Sequence, residues 1–241
     1  MKKAQLFLLH FAGGNSYSFQ FMAAYLKDFE VISLELPGRG RRMGEDLLRD
    51  FDLAALDLYD QVVRQLNSPD FLIYGHSMGA YLGLRVSSML EEAGRPPAYL
   101  FVSGNAGPGI REGKNRHMLE REEFIGELKR LGGIPKEFFE DNELFELFEP
   151  ILRADFEIAE RNDIKDEPAI AAPLFAMMGD QEENVEEIAN WGRYTQSQYR
   201  YEILEGDHFF IHKHAGRVAH IIKYNYDAVT RLSYQLNKPK Q

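Results

Sequence analysis

The chain has 241 residues, 44% of them hydrophobic and 27% charged, a formal net charge of −10 and no cysteine. The length suits one α/β domain with an insertion. The acidic balance argues against nucleic acid and anionic membrane surfaces as partners. The lack of cysteine excludes disulfides, thiolate metal sites and a cysteine nucleophile, and it suits a reducing cytoplasm.

Taken in chain order, apolar runs of strand length lie at Leu6 to Leu9, Val31 to Leu34, Phe71 to Tyr74, Tyr99 to Val102, Leu174 to Met178 and Tyr201 to Leu204. Most are continuous rather than alternating, the pattern of strands buried on both faces. Met1-Lys2-Lys3 before the first run has the outline of a signal peptide. The run is short and His10 interrupts it, so a first strand is the better reading. No apolar stretch approaches the roughly 18 residues that span a bilayer.

Helical patterns fall between the strands at Phe19 to Leu26, Leu53 to Leu66, Ala80 to Leu90 and Val185 to Tyr194, with a last helix from His214 to Leu236. Strand and helix in alternation predict a mostly parallel sheet with helices on both faces. Between Glu120 and Asp163 only amphipathic helical patterns occur: Phe124, Leu128 and Leu131, then Leu144, Phe145, Leu147 and Phe148. The expectation is one domain over 1–241 with a helical lid inserted at about 115–165, and a frayed tail from Asn237 to Gln241.

The segment Phe71-Leu-Ile-Tyr-Gly75-His76-Ser77-Met78-Gly79-Ala80 reads as a strand, a Gly-x-Ser-x-Gly turn and a helix. This is the nucleophile elbow of the α/β-hydrolase fold, which makes Ser77 the candidate nucleophile. In this fold the order is serine, acid, histidine. His208, in Gly206-Asp207-His208-Phe209-Phe210 after the last strand, is the candidate base. His212, His214 and His220 lack the spacing and company of a metal site. The loop Gly179-Asp180-Gln181-Glu182-Glu183 offers two acids. Glu182 falls where the count from the glycine places the acid, whereas Asp180 is the commoner residue type, so both remain candidates. The backbone N–H groups of Ala12, in His10-Phe11-Ala12-Gly13-Gly14, and of Met78 are the expected oxyanion donors.

Together these segments resemble the type II thioesterases that accompany non-ribosomal peptide and polyketide synthases. The resemblance covers nearly the whole chain. It rests on the elbow, on Phe11-Ala12-Gly13-Gly14, and on Leu36-Pro37-Gly38-Arg39-Gly40-Arg41-Arg42. Further matches are Glu122-Glu123-Phe124 to Leu131-Gly132-Gly133-Ile134-Pro135, Pro150 to Phe156 with its Arg153-Ala154-Asp155-Phe156, Trp191, and Gly206 to Phe210. His10-Phe11 in the first loop, Gly206-Asp207 before the histidine and Glu182-Glu183 in the acid loop depart from the usual pattern.

The resemblance implies hydrolysis of acyl groups from the phosphopantetheine thiol of an acyl or peptidyl carrier protein, by a serine mechanism without cofactor or metal. It also gives a reason to expect carrier docking at Arg39, Arg41 and Arg42, because that partner is acidic with a phosphate linker. Phe138, Phe139, Leu144, Phe145, Phe148 and Phe156 are candidates to line an acyl channel or to pack the lid on itself. The competing readings are a medium-chain fatty acyl thioesterase, a small-ester esterase, and a non-catalytic binding protein of the same fold.

Overall fold

The computed structural model describes residues 2–110, 114–134 and 136–236. Met1, Pro135 and the tail from Asn237 to Gln241, all named above, lie outside them. Six strands form one sheet: β1 Gln5–Leu9, β2 Glu30–Ser33, β3 Phe71–His76, β4 Tyr99–Ser103, β5 Leu174–Gly179 and β6 Tyr199–Leu204. Their order is β2-β1-β3-β4-β5-β6, and every neighbouring pair is parallel. The helices are α1 Phe51–Gln65, α2 Met78–Glu92, α3 Arg121–Leu131, α4 Asn142–Glu160, α5 Phe210–Lys213 and α6 Ala215–Leu236. Among the described residues no helix is long and apolar enough to cross a membrane.

The continuous apolar runs become strands because each face of the sheet is covered. Alternate residues point to opposite faces. Phe7, Leu9, Ile73, Leu100 and Val102 join a core with Ala54, Leu58 and Val62 of α1 and Ala80 and Leu84 of α2. Leu6, Leu8, Leu72, Tyr74 and Phe101 join a second core with Val218 and Ile222 of α6 and with Phe19 and Met22.

Two expected α-helices are built differently. From Asn15 to Phe29 the backbone makes a succession of i→i+3 bonds, including Met22 N–H to Phe19 and Tyr25 N–H to Met22, with one formal 3₁₀ turn at Gln20–Met22. Residues 185–194 are likewise 3₁₀ helix. The spacing of Phe19, Met22, Leu26 and Phe29 still buries all four, since three-residue turns bring every third or fourth side chain to one side as an α-helix does.

Strand order sets where chemistry can sit. The chain runs from β1 out to β2, then crosses back to β3 and proceeds the other way. In open α/β sheets, sites form outside the carboxyl ends of the strands at such a reversal. The ends of β1 and β3 carry the Phe11-Ala12-Gly13-Gly14 loop and Ser77. Between β4 and β5 lie α3, α4 and two 3₁₀ turns, at Arg116–Met118 and Lys136–Phe139, with no strand among the described residues there.

The turn from β3 into α2 depends on two glycines. A Cβ on Gly75 would come 2.0 Å from the Gly79 carbonyl oxygen, and one on Gly79 would come 2.2 Å from that of Leu9. Backbone therefore meets backbone where strand, helix and β1 converge, and neither side can yield. Gly83, one turn further along α2, meets only side chains, the nearest at 3.5 Å. Alanine is favoured over glycine in a helix by about 1 kcal/mol. Gly83→Ala is thus expected to be neutral or to stabilise by up to that amount. Gly79→Ala, against the same propensity, is expected to destabilise by more than about 2 kcal/mol. Urea unfolding of the two variants measures both.

Candidate active site

Ser77 occupies the N-cap position of α2, where a serine ordinarily has extended backbone and bonds its side chain to the first turn. Here φ is 57° and ψ is −116°, and the side chain makes no capping bond. A non-glycine residue in that region is strained and persists only when its surroundings impose it. The surroundings are the end of β4 and the loop after it. Ser77 N–H donates to the Ser103 carbonyl at 2.7 Å, and Asn105 Nδ2 donates to the Ser77 carbonyl at 2.9 Å. The Asn105 carbonyl in turn accepts from Trp191 Nε1 at 3.0 Å. The hydroxyl is thereby withheld from its usual capping role. Ser103 and Asn105 were not singled out by sequence; their place at a strand's carboxyl end, with Gly104 between them, is the signal that could have found them.

His208 Nδ1 lies 2.7 Å from Glu182 Oε2. The other carboxylate oxygen of Glu182 accepts from Gly179 N–H at 2.8 Å, so the acid is held at both ends. Asp180 is exposed and points elsewhere, its Oδ1 accepting from Gly206 N–H at 2.8 Å. Of the two acids, the structure brings Glu182 and not Asp180 to the histidine. With Nδ1–H donated to Glu182, the Nε2 lone pair of His208 is free to accept a proton.

His76 sits beside His208, with ring centroids 5.0 Å apart. Its Nδ1 shares a 2.8 Å hydrogen bond with Ser103 Oγ, which also bonds Tyr74 at 2.9 Å. Burial, reinforced by the neighbouring His208 and His212, holds the His76 pKa well below its ordinary value. His76 is a neutral, fully buried platform beside His208, not a second charge.

Ser77, His208 and Glu182 all line one cavity of about 560 Å³, together with Phe11, Ala12 and Met78. Met78 is the first residue of α2, so its N–H has no carbonyl one turn back in the helix. The next N–H after Ala12, that of Gly13, is already bonded to Asp155 Oδ2 at 2.7 Å. Away from the serine one part of the wall is apolar, built from Leu128, Leu131, Ile134, Leu144 and Leu152 with aromatic side chains, while Lys114, Arg116, Glu160 and Glu183 line another part. Of the six candidates for such a channel, Phe138, Leu144, Phe148 and Phe156 line it, while Phe139 and Phe145 pack within the cluster of α3 and α4. Arg130 and Lys114 pair with Glu183 of the acid loop at 2.8 and 3.2 Å.

The expected basic patch is not present as three free arginines. Arg39 is 3% exposed and paired bidentately with fully buried Asp155, Nη2 to Oδ1 at 2.8 Å. Arg42 is engaged by Asp57 at 2.7 and 2.8 Å, by Glu45, and by the Glu35 carbonyl. Only Arg41 of the three has an exposed side chain. A guanidinium fork enters the interior when a carboxylate matches it, and the sequence holds that partner 116 positions away.

His10, beside this pair, accepts from Leu36 N–H at 3.4 Å and bonds the Phe11 carbonyl through Nδ1. Burial first, and then the Arg39 cation, lower its pKa to about 4, against smaller opposing effects of Asp155 and Glu35. The unfolded chain binds this proton more readily than the folded one. Stability is therefore expected to fall as pH drops from about 6.5 to about 4, by about 3 kcal/mol from His10 alone. His76 acts with the same sign. Urea unfolding across that range measures the loss, and His10→Asn should flatten it.

The geometry also ranks the two acids. Glu182→Gln is expected to lower kcat by about 10³-fold or more, as loss of the orienting carboxylate does in other triads. Asp180→Asn keeps an acceptor for Gly206 and should cost less than about tenfold. Steady-state kinetics on an acyl thioester measure both, and the reverse ranking would move the role to Asp180.

The thioesterase domain family matches residues 4–226. The gramicidin S biosynthesis protein GrsT of Aneurinibacillus migulanus is 31% identical over 216 residues, which cover 88% of this chain and 84% of that protein. The protein named linear gramicidin dehydrogenase LgrE of Brevibacillus parabrevis is 32% identical over 226 residues, 90% of this chain and 86% of that one. Among solved structures, ClbQ from the colibactin NRPS/PKS pathway superposes with a TM-score of 0.88 at 26% identity, over 96% of this chain and all of that one. The chain belongs to the thioesterase family: it is a type II thioesterase of the α/β-hydrolase fold, a hydrolase that acts on thioesters.

Proposed function

We propose that this thioesterase removes acyl groups from the phosphopantetheine thiol of acyl or peptidyl carrier proteins in non-ribosomal peptide or polyketide biosynthesis, clearing stalled or wrong chains. The observation that carries the reading is the Glu182–His208 contact of 2.7 Å at a cavity that Ser77 also lines and whose wall includes an apolar stretch. A thioester needs a nucleophile, a proton carrier and an apolar surface for its chain, and this cavity offers all three. The pathways named for GrsT and ClbQ support the biosynthetic setting. The cysteine-free composition suits the cytoplasm.

On this reading the helical segment at about 115–165 is a lid on a single hydrolase domain, roofing the route to Ser77. Ser77 Oγ attacks the thioester carbonyl carbon while His208 Nε2 takes its proton. Glu182 holds the ring in the required tautomer and balances the imidazolium. The carbonyl oxygen becomes an oxyanion facing the Ala12 and Met78 N–H groups. Collapse breaks the C–S bond, and the pantetheine thiolate leaves with the proton from His208. Water then attacks the acyl-serine with His208 as base, releasing the carboxylic acid and restoring Ser77.

A carrier protein can contribute contacts remote from the thioester that lower the barrier. An acyl carrier protein is expected to show a higher kcat/KM than the same acyl group on free pantetheine. Arg41→Glu should weaken only the carrier reaction, by a few-fold, and added salt should narrow the gap, since exposed charges are screened. Ser77→Ala should abolish both reactions, roughly 10³-fold or more. Equal kcat/KM for free and carrier-bound substrate would overturn the carrier reading and leave a general thioesterase.

A further inference from the structure

Two segments carry much of the resemblance yet hold no residue that the reaction uses: Pro37-Gly38-Arg39-Gly40 after β2 and Arg153-Ala154-Asp155-Phe156 in α4. They meet in the interior. Arg39 Nη1 and Nη2 donate to the two oxygens of Asp155 at 2.5 and 2.8 Å, and the two residues are 3% and 0% exposed. A buried pair of this kind is weak evidence of stabilisation, because two apolar side chains of similar volume often serve a fold as well or better. Its geometry points to another use.

Asp155 Oδ2 accepts a second hydrogen bond, from the Gly13 N–H at 2.7 Å. Arg39 Nη1 also reaches the Gly14 carbonyl at 3.4 Å, while Nε reaches the Pro37 carbonyl at 3.4 Å. The same loop is gripped from other sides. Gly13 has φ 77°, and a Cβ there would lie 2.4 Å from Leu152 of α4. Glu35 accepts from Ser16 N–H and Arg41 N–H, both at 2.9 Å, joining the loop after β1 to the loop after β2. The peptide that follows Ala12 is therefore fixed by a charged acceptor from α4, and that acceptor is fixed by a guanidinium fork.

We propose that Arg39 and Asp155 are a positioning pair for the oxyanion donor, holding the Ala12–Gly13 peptide so that the Ala12 N–H stays at the cavity wall. The inference rests on the reading of Ala12 as that donor. Neither residue touches substrate; both act through the backbone of residues 12–14. An oxyanion exists only once attack has begun, so a misplaced donor costs transition-state binding and leaves ground-state binding alone.

The test uses two variants of the full chain. Arg39→Lys keeps the buried charge balanced but loses the two-pronged grip. The double variant Arg39→Met/Asp155→Leu removes both charges together, so neither is left buried and alone. Folding is checked by circular dichroism, and active sites are counted by fluorophosphonate titration. Per active site, the double variant is expected to lose about 10²-fold in kcat, and Arg39→Lys about tenfold, with KM for acyl-pantetheine unchanged within about threefold.

Affinity for an acyl trifluoromethyl ketone, which forms a tetrahedral adduct with the serine, should fall with kcat. Affinity for an unreactive thioether analogue of the substrate should not change. The pH profile of kcat/KM should keep its wild-type inflections, because His208 and Glu182 are untouched. A kcat and ketone affinity within about twofold of wild type in both variants overturns the inference. So does a loss that appears only in the fraction of folded enzyme. If Ser77→Ala remains active as well, the serine reading itself fails; if Ser77→Ala is dead while both pair variants are normal, only the positioning role is lost.

Discussion

The carboxyl end of this sheet is arranged around one strained residue held between three strands. Ser77 adopts a positive φ that its side chain does not favour. The strain persists because Gly75 and Gly79 let β3, α2 and β1 touch through backbone alone, and because Ser103 and Asn105 bind both sides of the Ser77 peptide. Strain of this order, about 1–3 kcal/mol, is small beside the packing around it. In return a hydroxyl that would otherwise cap a helix is left facing a cavity.

Around that hydroxyl the charges are sorted by depth. His10 and His76 are buried and neutral, and neither competes with His208 for a proton. Glu182 is nearly buried, with one oxygen on His208 and the other on the Gly179 N–H. A carboxylate with both oxygens occupied is held in one orientation, and an acid that orients a histidine needs that property. Beside His10, the buried Arg39 cation is matched by Asp155.

The strands were legible because a parallel sheet covered on both faces demands continuous apolar runs. The elbow was legible because its two glycines and serine are adjacent in sequence. The choice of acid was not. Asp180 and Glu182 both leave the end of β5, and what separates them is the company each finds 26 residues later: Gly206 N–H for one, His208 for the other. Arg39 was misread for the same reason on a larger scale. Next to Arg41 and Arg42 it is expected at a docking surface, and only Asp155, far along the chain, takes it inside. The turns from Asn15 to Phe29 show a milder limit, since periodicity reports which side chains are buried without distinguishing α from 3₁₀ backbone.

The helical segment between β4 and β5 is attached to the body unequally. It has a hydrophobic cluster of Phe124, Leu128, Phe145, Leu152 and Phe156, against which Ala12 also packs. On the α3 side its ion pairs to the acid loop run from Arg130 and Lys114 to Glu183, with side chains 29–43% exposed. Exposed pairs of this kind are worth up to about 1 kcal/mol each and are screened by salt. On the α4 side Asp155 is fully buried and bonded to both Arg39 and the Gly13 N–H. Separating such a group from its partners leaves an uncompensated buried charge, at a cost of about 3–5 kcal/mol. The segment is thus held to the acid loop by exposed, salt-screened pairs at its α3 edge and to the loop after β1 by a buried, charge-matched contact at α4.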